Sequence, residues 1–271
     1  MNTAPSTQTH RTAYALAVYS MWQREIVRFW RQKSRLFGAL ATPLLFWLVL
    51  GLGFGHSLNV TGQPKSTGYL GFFFPGVVVL VVLFTAIYST ISVIEDRREG
   101  FLQAVLVAPV PRITVILGKA LGGTTIAVLE GILLIAIGWV MGRQVNPSGL
   151  PQAVGVLTIV AFALTALGLA IAWTMESTAG FHGIMNLLLM PMWLLSGAVF
   201  PLASAHPILR WLMKINPLTY GVSGFRQALY RQPPSPGDPT MTTCVAVSIL
   251  FGAVMITATL VMANRKHEAG R

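Results

Sequence analysis

The densest charge in this chain is Glu95-Asp96-Arg97-Arg98-Glu99, running into Gly100-Phe101-Leu102 between two long apolar stretches. Only 10% of the 271 residues are charged, so five in succession form a local exception. Such a run cannot lie in hydrocarbon and belongs at a membrane face. The chemistry available to it is docking. Phe101, Leu102, Val105 and Leu106 offer an apolar ridge at helical spacing, while Glu95, Arg97, Arg98 and Glu99 can form charge pairs that fix register more than affinity. Gly100 permits close backbone approach, and Pro109 and Pro111 stiffen the exit.

Bond-making chemistry is not in view. The histidines His10, His56, His182, His206 and His267 are scattered without metal-ligand spacing, and neither H-E-x-x-H nor G-x-S-x-G occurs. No catalytic residue and no metal ligand is assigned. The nearest approach to a phosphate-cradling loop is Gly118-Lys119, but Ile113 stands where the first glycine is needed and Ala120 where the hydroxyl is needed. Cys244 is the sole cysteine and excludes an internal disulfide. Glu130 falls within an apolar run, where a charge costs about 2.5–3.5 kcal/mol. It has three readings: a wall of a substrate path, a partner for a basic group, or a protonated, hydrogen-bonded group in the bundle. Pro75, Gly76 and Asn186 are further pathway candidates, since a proline or asparagine inside a span wants a cavity, a kink or a neighbouring helix. Lys119 has the reach to snorkel to the inner face.

These residues need membrane-spanning helices to position them. With 54% hydrophobic residues and a mean hydropathy of +0.66, the chain reads as a polytopic membrane protein. About 20 apolar residues cross the bilayer, and six segments qualify: 36–55, 69–94, 116–141, 154–175, 184–202 and 242–263. An even count puts both termini on one side, and 13 of the 19 Lys and Arg fall there. That bias places both termini, the 95–112 loop and the 264–271 tail in the cytoplasm. It also accounts for the net charge of +11: the basic residues flank apolar runs, and basic patches interleaved with exposed aromatics, as nucleic-acid binding needs, are absent.

Residues 1–10 read as a polar tail with no signal peptide. Residues 12–35 read as an interfacial helix, with Trp22, Ile26, Phe29 and Trp30 on one side and Arg24, Arg28, Arg31 and Arg35 on the other. Beyond the fifth span, 201–231 reads as a re-entrant or interfacial helical hairpin. Ile208, Leu209, Trp211, Leu212 and Ile215 are too apolar for a free loop, and Asn216-Pro217 starts a second helix. Glu176 and His182 read as solvated groups in a short connection between spans 4 and 5. The expected fold is therefore an all-α integral membrane protein of six transmembrane helices, residues 36–263, with residues 1–35 as the cytoplasmic tail and interfacial helix.

Four motifs in order resemble the ABC-2 type membrane permeases. They are Tyr69-Leu70-Gly71-Phe72-Phe73-Phe74-Pro75-Gly76; Glu95 to Leu102 with Ala108-Pro109-Val110-Pro111-Arg112 and Gly118-Lys119; Met185 to Pro191 with Leu195 to Pro201; and Asn216-Pro217-Leu218-Thr219-Tyr220. The resemblance implies the permease subunit of an ATP-driven exporter, moving an amphipathic drug, lipid or lipid-linked glycan. Residues 95–112 would be the coupling helix, seated on a separate ABC ATPase present in two copies. A second permease, as a homodimer, would complete the pathway in the plasma or inner membrane, in contact with its lipids. ATP and Mg would sit on the ATPase, and this chain would bind no cofactor. An ion-coupled carrier or channel using Glu130 is the alternative.

Overall fold

The computed structural model describes residues 7–31, 43–49, 53, 68–101, 111–142 and 145–268. Among them there is no strand. The helices are α1 (Thr7–Arg31), α2 (Gly68–Ser89), α3 (Ile91–Arg98), α4 (Arg112–Val140), α5 (Leu150–Thr174), α6 (Thr178–Leu194), α7 (Pro207–Ile215), α8 (Pro217–Tyr230) and α9 (Met241–Glu268). Residues 43–49 are also helical. Most of the 36–55 segment, and Leu102, Val105 and Pro109, lie outside the described residues.

Among the described residues, four helical stretches are long and apolar enough to cross a membrane: Tyr69–Arg98, Arg112–Val140, Pro147–Thr174 and Met241–Asn264. The first is the centre of the bundle. Its most apolar stretch is 89% buried, against 22% for the last. The central helix packs on α4, α5 and α8, while α9 lies outside against α5 and α8. Between α2 and α3 the axis is interrupted at Thr90. The Ser89 hydroxyl donates to the Ala86 carbonyl at 2.7 Å and that of Thr90 to Ile87 at 2.6 Å. Hydroxyls bonded back to the preceding turn bend helices in this way.

Helix α6 begins six residues earlier than the apolar run predicts. Met175 to Ser177 make the whole connection from α5, and the Ser177 hydroxyl caps the new helix on the Gly180 amide. His182 therefore lies within α6, its ring 5.0 Å from that of Tyr88, rather than in a solvated loop. After Leu194 the chain turns out of α6, with Gly197 at φ +77°. It then makes the pair of shorter helices α7 and α8. Met213 is the buried member of α7, on Leu202 and Ala205, while Ile208, Trp211 and Ile215 stay exposed. Helix α8 is buried along almost its whole length, capped at its start by the Asn216 side chain on the Leu218 amide and ended by Arg231 at φ 52°.

Glycines set the approach of α1 to α4. A Cβ at Gly118 would stand 2.4 Å from Met21 Cβ, and one at Gly122 would stand 2.7 Å from Glu25 Cβ. The i,i+4 pair forms a groove on α4 in which α1 sits, the arrangement that small residues permit between membrane helices. The Trp22 indole then donates to the Thr125 hydroxyl at 3.1 Å. Gly122→Val should displace α1 and lower the denaturation midpoint of the purified chain, whereas Gly155→Val, at a position with no described neighbour within 4 Å, should not. Equal midpoints would show that the groove does not hold α1.

Candidate functional site

Four successive residues of the charged segment bind in two directions. Glu95 and Asp96 turn to α1 and α4; Arg97 and Arg98 turn to the end of α5. The Arg97 guanidinium donates to the carbonyls of Met175 (2.8 Å) and Trp173 (2.9 Å), and Arg98 Nε donates to that of Glu176 at 3.2 Å. A helix leaves its last carbonyls unpaired and carries negative partial charge there, so a cation is the natural partner.

On the other side, Asp96 is the hub. It is fully buried, and each oxygen accepts two hydrogen bonds. Oδ1 takes Arg24 Nη2 at 2.7 Å and Arg28 Nη1 at 3.0 Å; Oδ2 takes Arg24 Nη1 at 2.9 Å and Lys119 Nζ at 2.6 Å. Lys119 uses its other two protons on Glu25 (2.7 Å) and Ser92 (3.0 Å), and Arg28 also reaches Glu95 at 2.7 Å. The carboxylate's four acceptor positions and the ammonium's three donors are all in use. Three cations face three carboxylates, so the cluster closes neutral. Burial disfavours the charged form of Arg24, but the Asp96 hydrogen bond and charge, with Glu25 and Glu99, outweigh it and hold its pKa above the ordinary value.

One expectation changes here. Lys119 does not snorkel: it is 3% exposed and fully paired. Arg24 and Arg28, on the arginine side of α1, turn to the acids of α3. Gly100 takes φ +76° and ends α3 with its amide on the Arg97 carbonyl at 3.2 Å, and no described neighbour lies within 4 Å of where its Cβ would stand. In this chain it terminates the helix, as a residue of positive φ does. Phe101 is half-buried beneath the Arg24 guanidinium, 3.7 Å from ring centroid to carbon. Glu99, Trp30 and Pro111 are exposed, Pro111 just before α4. Arg112 joins the start of α4 to the end of α9 through the Ala263 carbonyl at 2.9 Å.

The sequence reading passed over Asp96, Glu25 and Lys119 as a unit. One signal was available: a lysine within an apolar helix needs an acid, and Asp96 lies in the adjoining charge run.

The pathway candidates make separate contacts. Gly76 is closed off by Ala198, whose Cβ would be 2.6 Å from a Cβ added there. Glu130 is 3% exposed and accepts a hydrogen bond from the Thr85 hydroxyl of α2. Its Oε1 is buried without a hydrogen-bond partner among the described residues. Asn186 lies on an exposed face of α6, accepting from the Tyr88 hydroxyl at 2.8 Å, beside His182. No group of three His, Cys, Asp or Glu able to hold a metal occurs among the described residues.

Apolar helices of spanning length and a charged segment clamped at the end of the central helix describe a membrane transport protein of the permease class. Residues 17–230 match the ABC-2 type transporter family, and the chain belongs to it. It is 25% identical over 258 residues to a putative transport permease ycf38 of Pyropia yezoensis, covering 94% of this chain and 86% of that one. It is 28% identical over 242 residues to the inner membrane transport permease YadH of Escherichia coli K12, covering 88% and 91%. Nodulation protein J of Sinorhizobium fredii is 26% identical over 218 residues, covering 79% and 81%. Members of the family generally pair with ABC ATPase subunits.

Asp96→Asn would leave three cations against two carboxylates. Removing one partner of a buried charge cluster costs about 3–5 kcal/mol, which denaturation of the purified variant beside the wild type should register. Adding Lys119→Met restores the balance and should recover part of the loss. Wild-type stability of the single variant would remove the network from the account of this fold.

Proposed function

We propose that this chain is the permease half of an ATP-driven exporter, and that the segment from Glu95 to Arg112 is its coupling element. The observation that carries this is the double anchoring of the segment's root, to α1 and α4 by Asp96 and to the end of α5 by Arg97. A solvated connection has no use for that restraint. A segment that receives force from an ATPase does, since displacement of a firmly held root passes into the central helix.

The further parts of the reading follow from the sequence. Residues 36–55 and helix α6, 17 residues long and at the short end of spanning lengths, bring the spans to six. Helix α1 lies along the inner face, and α7 and α8 make the outer hairpin. Both termini are cytoplasmic, and the membrane is the cell or inner membrane, a placement supported by the name of the Escherichia coli relative. Two ATPase subunits bind ATP and Mg and perform the hydrolysis. A second copy of this chain completes the pathway. Support for that copy comes from α6, where Asn186 and His182 are exposed among Ile184, Leu187 and Leu188. Polar groups on a lipid-facing surface are costly, so a protein or an aqueous path covers them. The cargo is an amphipathic drug, lipid or lipid-linked glycan.

The test is co-expression with the ATPase subunits encoded nearby, purification through a tag on the permease, and assay of ATP hydrolysis. The expected result is a complex of two permeases and two ATPases that hydrolyses ATP. Leu102→Asp should abolish co-purification while the permease still inserts; it is preferable to a change at Phe101, which also carries Arg24. A permease that folds and recruits no ATPase would overturn the proposal.

The alternative, an ion-coupled carrier working through Glu130, is separable. The hydrogen bond from Thr85 supports a packing role that Glu130→Gln can reproduce. Export by Glu130→Gln should match the wild type across pH. A pH-dependent loss would return Glu130 to the pathway.

A further inference from the structure

The turn of α2 around Pro75 has its carbonyl oxygens served from outside the helix. In a regular helix each carbonyl accepts from the amide four residues on. Proline has no N–H, so Gly71 loses its partner, and the ring crowds that carbonyl away from the axis. The Tyr230 hydroxyl of α8 takes its place, donating to the Gly71 carbonyl at 2.7 Å.

The neighbouring carbonyls are treated in the same way. The Trp47 indole donates to Leu70 at 3.2 Å and Arg226 Nη2 to Phe72 at 3.5 Å. Just past the proline, the Trp193 indole of α6 donates to Gly76 at 2.8 Å. Four carbonyls within seven residues thus receive four side-chain donors. Arg226 does more: its guanidinium lies 4.1 Å from the Phe72 ring centroid, and Nη2 also donates to the Gly197 carbonyl at 2.8 Å, where the chain turns out of α6. It is 6% exposed, with no carboxylate within 4.0 Å among the described residues.

Arg226 and Tyr230 are four residues apart, on one face of α8. The other faces of that helix are held. Gly221 abuts Val160 of α5, Gly224 abuts Cys244 of α9, and Gln227 donates to the Pro239 carbonyl at 2.9 Å. α8 is thus a fixed support, and the outer turns of α2, residues 68–74, rest against it through bonds that can be made and broken without unwinding a helix. Sharp helix bends form at proline and at inserted side chains; this turn has both.

We infer that the Pro75 turn is a hinge in α2 and that α8 is its latch, with Tyr230 and Arg226 as positioning residues that hold the outer segment 68–74 in place. The inference rests on the exporter reading for its purpose, which is to let the outer end of the central helix move while its inner end stays clamped at Asp96. The hinge itself is a property of the chain alone.

The test uses the full-length chain in lipid nanodiscs and measures amide hydrogen exchange. Tyr230→Phe removes one hydroxyl and keeps the ring. It should speed exchange across 68–76 by about tenfold, the worth of one buried hydrogen bond, and leave α5 unchanged. Adding Pro75→Ala returns an in-helix donor to Gly71 and should restore slow exchange. In the complex with its ATPase, Pro75→Ala alone should bind the ATPase normally but export several-fold more slowly, because the hinge is stiffened. Unchanged exchange in Tyr230→Phe would overturn the latch. Wild-type export by Pro75→Ala would overturn the hinge and leave a static kink. A wild-type chain that exports nothing would fail the exporter reading instead, with the exchange result still deciding the latch.

Discussion

Burying Asp96 is the constraint around which one end of the helix bundle is arranged. A carboxylate at zero exposure is tolerable only if its charge is matched and every lone pair is used. Arg24, Arg28 and Lys119 do both, and each comes at a cost elsewhere. Lys119 requires a second acid, met by Glu25. Glu25 must lie against α4, which requires Gly122 to have no side chain. Arg24 then covers Phe101, where the segment proposed to dock begins. From one buried acid the positions of α1, α3 and α4 follow in turn.

The two ends of the central helix are secured by opposite means. At the Asp96 end, full charges neutralise one another in a closed cluster, where the loss of any member is expensive. At the Pro75 end, neutral or singly charged donors meet backbone carbonyls, and each contact is worth little alone. A helix held firmly at one end and by small, separable bonds at the other is suited to pass on a displacement rather than absorb it.

Much of the helical plan was legible because long apolar runs leave few alternatives to a spanning helix. The runs at 69–94, 116–141, 154–175 and 242–263 each correspond to a described helix within a few residues at most ends. The start of α6 was missed because Thr178, Gly180 and His182 are not apolar. The helix begins there because Ser177 caps it, a local bond that hydropathy does not register. The site was legible as a segment and not as a structure. That Glu95 to Glu99 is special follows from composition alone. That its acids and bases face different helices depends on an α3 helix of only eight residues, whose phase no apolar pattern reveals. Asp96 was hidden by the same fact, since nothing in a run of five charges says which one is buried. The outer donors were illegible for a different reason. Tyr230 and Gly71 are 159 positions apart, and an unsatisfied carbonyl leaves no mark on the sequence except the proline that creates it.

The groove on α4 has a consequence for how the molecule is made. Helix α1, carrying Arg24, Glu25 and Arg28, is translated well before its partners: Asp96, Lys119 and the glycines that receive it follow some seventy to a hundred residues later. Helix α1 thus waits for its place, and the Asp96 cluster closes only once α4 has emerged.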